Sequence, residues 1–231
     1  MAEKQKPKMP TKSSKLKILV SSSVFGFEEL LESTYAILDS YGYDVLMSHK
    51  GTLPVDPANS ALDCCLDAVQ DCDVFLGIIL PRYGSGGEED GEDSITHREI
   101  IEAISLNKPR WFLVHEHVAV ARQLLSPYRK KEMKDGKLVD AYPFAFDGDM
   151  KFQRTAILSD PRVIDMFELA MRHDIPKLKD RRGNWVQHYG PDDDARLFVT
   201  AQFRRIRELE KKHLPKLADT DAIRRKVEGE K

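Results

Sequence analysis

Four apolar runs mark the first half of the chain, separated by stretches whose apolar residues recur every three or four positions. The run Val74-Phe75-Leu76-Gly77-Ile78-Ile79-Leu80 is continuous and closed by Pro81 and Gly84, the pattern of a strand buried on both faces. Runs at 16–21, 43–48 and 110–115 read as three further strands, and the central one spans 73–80. Between them, 27–41 places Leu30, Leu31, Tyr35 and Leu38 on one helical face and stops at Gly42. A second helix over 58–71 turns Ala61, Cys65, Leu66 and Val69 inward. A third opens near Thr96 and carries Ile100, Ile101, Ala103, Ile104 and Leu106. Strictly alternating strands and helices with short connections predict a parallel sheet with right-handed crossovers, in strand order 2-1-3-4.

Past residue 125 the pattern changes. Residues 129–137 read as a charged connection punctuated by Gly136, and 141–146 as a short edge strand. Helices are predicted over 161–171, with Pro161 at an early helical position, and over 192–210. The segment holding Trp185, Val186 and Tyr189 fits either a strand or a packed loop. The late helix carries Leu197, Phe198, Ala201, Phe203, Ile206 and Leu209, a broad apolar face expected to dock on the domain or on a second copy. The expected organisation is a basic disordered tail at 1–15, an α/β domain at 16–127, a mostly helical extension at 128–211 packed on it, and a charged tail at 212–231.

Composition narrows the function classes. A chain of 231 residues can bury a sizeable core, and its net charge of −2 gives no electrostatic case for a nucleic-acid partner. The longest apolar run is far too short to span a bilayer. Lys4, Lys6, Lys8, Lys12 and Lys15 lead into a strand rather than an apolar leader, so a cytoplasmic protein with no membrane contact is expected. Cys64, Cys65 and Cys72 show neither metal-ligand nor disulfide spacing and are expected to be reduced. No metal is expected. His115 and His117 alternate at the end of a strand and should point apart, and the acidic loop Glu88, Glu89, Asp90, Glu92, Asp93 lacks an EF-hand spacing. That loop reads as a solvated charge run, expected to oppose anionic ligands unless it swings away.

Candidate chemistry gathers around the central strand. The third helix starts beside its carboxyl end, where open α/β sheets bind ligands. Glu99 falls in the first turn of that helix, where the dipole favours a charged carboxylate. Thr96 with Glu99 three residues on is equally a capping box, which needs no substrate. Ser21, Ser22 and Ser23, closing the first strand, offer hydroxyls and N–H groups to a phosphate or ribose, or form a turn that caps the next helix. No G-x-G-x-x-G accompanies them. Arg82 suits a pyrophosphate and Tyr83 a base, while Arg82 could equally neutralise the acidic loop. His49 and Lys50 close the second strand, where they reach an adenosine ribose or merely cap the sheet.

The strand order, the central strand ending in Arg82-Tyr83-Gly84 and the Thr96-x-x-Glu99 helix start resemble the TIR superfamily. They resemble in particular an uncharacterised TIR-like family known only as a domain of unknown function. The resemblance is closest over Lys17 to Ser23, Met47 to Thr52 and Ser94 to Pro109, roughly the N-terminal half. It is similar, more distantly, to nucleoside deoxyribosyltransferases. The fold implied is a flavodoxin-like, TIR-like α/β parallel sheet flanked by helices, with a helical C-terminal extension. In both groups a helix Glu works on a ribosyl C–N bond, and it maps onto Glu99; Ser21, Ser22, Ser23, Arg82, Tyr83 and Thr96 would bind substrate. The aromatic and Cys usual just upstream in TIR proteins are replaced here by Thr96 and His97. The resemblance implies a nucleotide N-glycosidase hydrolysing NAD to nicotinamide and ADP-ribose in antiphage defence or stress signalling. NAD would be substrate rather than cofactor, and a homo-oligomer or partner protein would activate it. Alternatives are a non-catalytic interaction module and a deoxyribosyltransferase-like enzyme with Glu99 as nucleophile.

Overall fold

Each residue of the central strand is buried, and the fold is built outward from it. The structure, a computed structural model, describes residues 15–86, 92–134, 136–183, 185–205 and 208. The expected disordered tail (but for residue 15), the charged tail and the middle of the acidic loop lie outside these. In chain order the elements are β1 (Lys17–Ser22), α1 (Glu28–Ser40), β2 (Asp44–Leu46), α2 (Ala61–Asp71), β3 (Val74–Ile79), α3 (Ile95–Ser105), β4 (Arg110–His115) and α4 (Glu116–Leu125). They continue with β5 (Lys131–Lys134), β6 (Lys137–Asp140), α5 (Val163–Met171), β7 (Val186–Tyr189) and α6 (Asp192–Phe203). Among the described residues the main sheet has five strands in order β2-β1-β3-β4-β7, every pairing parallel. It is an α/β fold with helices on both faces, as the alternation predicts.

The period-two alternation of the strands divides the core. Ile18, Val20, Val74, Leu76, Ile78 and Leu113 face α1 and α6, while Leu19, Phe75, Ile79, Phe112 and Val114 face α2, α3, α4 and α5. Gly77 shares the second face, and its missing side chain is the space that Phe112 of β4 fills. A Cβ built there would lie 2.6 Å from the Phe112 ring. α6 docks on α1 through Ala195, Phe198, Val199 and Phe203, and Tyr43 donates to the Phe203 carbonyl at 3.1 Å. Leu197 points away and is exposed; Ile206 and Leu209 lie outside the described residues.

Several boundaries differ from the sequence expectation. The strand expected over 43–48 ends at Leu46, because Ser48–Lys50 forms a 3-10 turn closed by Gly51 at φ +67°. α2 starts late because Ser60 caps it, accepting from the Asp63 N–H at 3.0 Å. Residues 141–146 are not a strand; only an isolated bridge joins Arg129 to Phe146. The expected connection at 129–137 instead opens the antiparallel β5–β6 hairpin, turned at Gly136 with φ +73°. Residues 128–211 supply α5 and α6 as expected, and they also supply the hairpin and the fifth strand of the main sheet.

A buried ion network fixes the path between the hairpin and α5. The Arg129 guanidinium donates to Asp165 at 2.7 Å, to Glu168 at 2.8 Å and to the Ala141 carbonyl at 2.7 Å. Asp165 also accepts the Phe144 N–H at 2.7 Å. Burial pushes the Asp165 carboxyl up to about 6 against the pull of the Phe144 N–H and Arg129. With α5 anchored, residues 154–162 are laid across the turn after β3, where the Ser159 N–H donates to the Pro81 carbonyl at 2.9 Å.

Candidate functional site

The carboxyl ends of β1 and β3 and the start of α3 wall a cleft of about 700 Å³, the size of small-molecule sites. Glu99 lies on its wall, only 5% exposed. Its carboxylate accepts from the Ser21 hydroxyl at 2.6 Å, and the Cys65 thiol is a second donor. Burial pushes the Glu99 carboxyl up to about 7, outweighing both donors. The Cys65 thiol is itself pushed up to about 12, by burial first and by Glu99 second, so it stays protonated as a donor.

This geometry corrects two expectations for Glu99. The N-cap of α3 is Ser94, which accepts from the His97 N–H, so Thr96 lies inside the helix and Thr96 with Glu99 is not a capping box. Glu99 therefore sits past the first turn, and desolvation governs its charge where the sequence pointed to the helix dipole. Glu99 is thus a buried carboxylate on the cleft wall that caps no helix.

Ser22 donates to the carbonyls of Ile78 at 3.0 Å and Ser23 at 2.8 Å, and Ser23 donates to that of Arg82 at 2.7 Å. They tie the ends of β1 and β3 together; α1 has no side-chain cap, so no serine turn caps it. Ser22, Ser23, Arg82, Tyr83 and Thr96 all line the cleft, as does Glu99, and Ser21 stands behind Glu99. Gly84, at φ +90°, allows the close turn that brings Ser23 and Thr96 together; a Cβ there would sit 3.4 Å from Ser23 Cβ.

Tyr83 is not available to stack on a base. Its hydroxyl is 2.7 Å from His97 Nδ1, donates to Asp93 at 3.0 Å and accepts from the Ser94 N–H, and the Arg162 guanidinium covers its ring at 4.3 Å. His97 is fully buried, and burial holds it below the usual imidazole range despite Asp93. Arg82 does not neutralise the described part of the acidic loop. Arg162 reaches it, donating to the Glu92 carbonyl at 2.7 Å. Glu88, Glu89 and Asp90 lie outside the described residues.

His115 and His117 do not point apart. The strand ends at His115 and α4 starts at Glu116, so strand periodicity fails there; the rings lie 4.5 Å apart and His115 Nδ1 accepts from the His117 N–H. Lys50 pairs with Glu32 at 3.5 Å, and neither it nor His49 lines the cleft; Ser48 does. Among the described residues no group of three or more His, Cys, Asp or Glu side chains could hold a metal ion, and no helix is long and apolar enough to cross a membrane.

The cleft also holds residues to which the sequence reading gave no binding role. Cys65 read only as an inward helix position, and Phe25, 74% exposed at the mouth, sits in a loop with no periodicity. Arg154, Ser159, Asp160 and Arg162 arrive from beyond the hairpin, and no local signal ties them to β3.

No curated protein matches the chain. Among solved structures it is similar to the CMP N-glycosidase BcmB of Clostridium botulinum, with 19% identity and a TM-score of 0.31, covering 48% of this chain and 81% of that one. It is also similar to the 2-desoxiribosyltransferase from Leishmania mexicana, with 17% identity and a TM-score of 0.33, covering 68% and 99%. Residues 17–156, which hold β1 to β6, Glu99 and Arg154, match the family described as Domain of unknown function (DUF4062), and the chain belongs to that family.

Proposed function

We propose that the cleft breaks the C–N bond between the ribose and base of a nucleotide, with NAD as the substrate and water as the acceptor. The observation that carries this reading is Glu99, a buried carboxylate on the cleft wall that caps no helix and is oriented by Ser21 at 2.6 Å. Leaving of the base develops positive charge on the ribose ring, and a fixed anion beside that carbon stabilises it. The C1′–N bond breaks with its electron pair going to nicotinamide, which departs neutral because it was bound as a pyridinium. Water oxygen bonds C1′ on the other side and gives up one proton, which the Glu99 carboxylate takes and passes to solvent. No separate acid is required for this leaving group.

The test is to incubate the protein, dilute and concentrated, with NAD and to chromatograph the products. Nicotinamide release by wild type, lost in Glu99→Gln, supports the reading. Indistinguishable release by the two proteins under both conditions overturns it. A parallel incubation of a deoxynucleoside with a free base reports base exchange, which would replace water by a nucleobase as acceptor.

A further inference from the structure

One side of the cleft is walled by the turn after β3 and by residues from the 154–162 segment. The Arg82 guanidinium donates to the carbonyl of Thr155, the chain neighbour of Arg154, at 3.5 Å, and both arginines line the cleft. The Tyr83 N–H donates to the Ser159 hydroxyl oxygen at 2.9 Å, which leaves the hydroxyl hydrogen of Ser159 to donate. Arg82 Nε is buried with no hydrogen-bond partner among the described residues. A buried donor without an acceptor is costly, and a guanidinium more so than a neutral amide.

Charge on this wall is unevenly compensated. Of its three arginines, Arg162 is held by Asp160 through contacts of 2.9 to 3.2 Å and by the Glu92 carbonyl. Neither Arg82 nor Arg154 makes a salt bridge among the described residues, although both line the cleft. Among the described residues, the carboxylates that also line it are Asp160, already engaged, and Glu99, which is held by Ser21 and Cys65. Two guanidinium groups that form no salt bridge among the described residues, and a hydroxyl hydrogen left to donate, thus line one open volume.

We infer that Arg82, Arg154 and Ser159 form a phosphate subsite, so that the cleft selects a ribose phosphorylated on its 5′ oxygen over the free nucleoside. Guanidinium groups match the several acceptor oxygens of a phosphate with paired, directed donors, and Ser159 adds a third direction. The identity of the sugar rests on the reaction proposed above; the anion subsite does not.

The experiment measures equilibrium binding to the Glu99→Gln protein, which removes turnover, with AMP, ADP-ribose, adenosine and inorganic pyrophosphate as probes. AMP and ADP-ribose should bind at least about tenfold more tightly than adenosine, the scale of one hydrogen bond to a charged group. Arg154→Ala, an exposed position that leaves the fold alone, should erase most of that advantage without changing adenosine binding. Arg82→Lys should do the same, since it keeps the charge and loses the guanidinium's paired donors. Equal binding of AMP and adenosine overturns the subsite, as does AMP binding unaffected by Arg154→Ala. Binding of pyrophosphate without AMP or ADP-ribose also overturns it as a nucleotide subsite. The two readings fail separately. Arginine-dependent AMP binding without nicotinamide release from NAD sinks the catalytic reading alone. Release from nicotinamide riboside as fast as from NAD sinks the subsite alone.

Discussion

Ser21 and Glu99, 78 residues apart in the chain, meet at 2.6 Å behind the cleft, hydroxyl to carboxylate. The contact joins the end of β1 to the second turn of α3 and gives a buried acid a donor that favours its charged form.

The Glu99 carboxyl titrates near 4.5 when unfolded and at about 7 when folded. Below pH 4.5 it is protonated in both states and adds no pH dependence. Between 4.5 and about 7 the unfolded chain ionises while the native protein keeps its proton, so native stability falls as pH rises, and the loss is complete above about 7. Glu99→Gln escapes this loss. Thermal melting of the two proteins should therefore differ little at pH 4.5, with the variant melting increasingly above wild type up to about pH 7 and by a constant margin beyond. A difference that is constant with pH would show that Glu99 does not titrate as its burial dictates.

Ser21→Ala removes the donor that pulls Glu99 down. A hydrogen bond to a charged group contributes about 1.5–3 kcal/mol, which corresponds to an upward shift of about one unit or more. If the ionised carboxylate acts on the ribosyl carbon, the acid limb of the activity profile should move to higher pH by that amount, with the plateau rate less affected. The pH profile of nicotinamide release checks it, and an unmoved limb counts against the role of Ser21.

Asp165→Ala leaves the Arg129 guanidinium short of one carboxylate and the Phe144 N–H without its acceptor. Removing one partner of a buried pair costs about 3–5 kcal/mol. Denaturant unfolding should show a loss on that scale. Nucleotide binding should also weaken in whatever folds, because the network anchors the segment that carries Arg154 and Ser159.

Gly77→Ala places a methyl group 2.6 Å from the Phe112 ring, which is packed between the sheet and its helices. Overpacking of this kind costs about 1–3 kcal/mol. Phe112→Leu in the same chain should recover part of the loss, and a double-mutant cycle by denaturant unfolding measures the coupling.

The α/β half of the chain was legible because its strands are apolar on both faces; β4 spans 110–115 as the pattern predicts. The β5–β6 hairpin was not. Its residues are nearly all exposed, Lys, Glu and Asp are mixed with Met133, Leu138 and Val139, and no buried face imposes a readable alternation. β7 remained ambiguous at four residues, since its pairing with β4 is a long-range property. The α3 cap was misplaced because Ser94 and Thr96 are both good capping residues two positions apart, and only the backbone distinguishes them. Glu99, Arg82 and Thr96 could be nominated from their place beside the central strand. Arg154 and Ser159 could not, since the Arg129–Asp165 network, not any local pattern, carries them there.

The main sheet also sets an order of events during synthesis. β4 is an inner strand only because β7 pairs with it, from Phe112 opposite Val186 to His115 opposite Tyr189. At about 5–20 residues per second, seconds pass between the emergence of the two. For that interval an apolar strand presents a row of unpaired backbone groups, a template for pairing with any other extended chain. Refolding yield should thus depend on protein concentration. Any shortened form that stops before Val186 carries that sticky edge permanently, however intact its cleft.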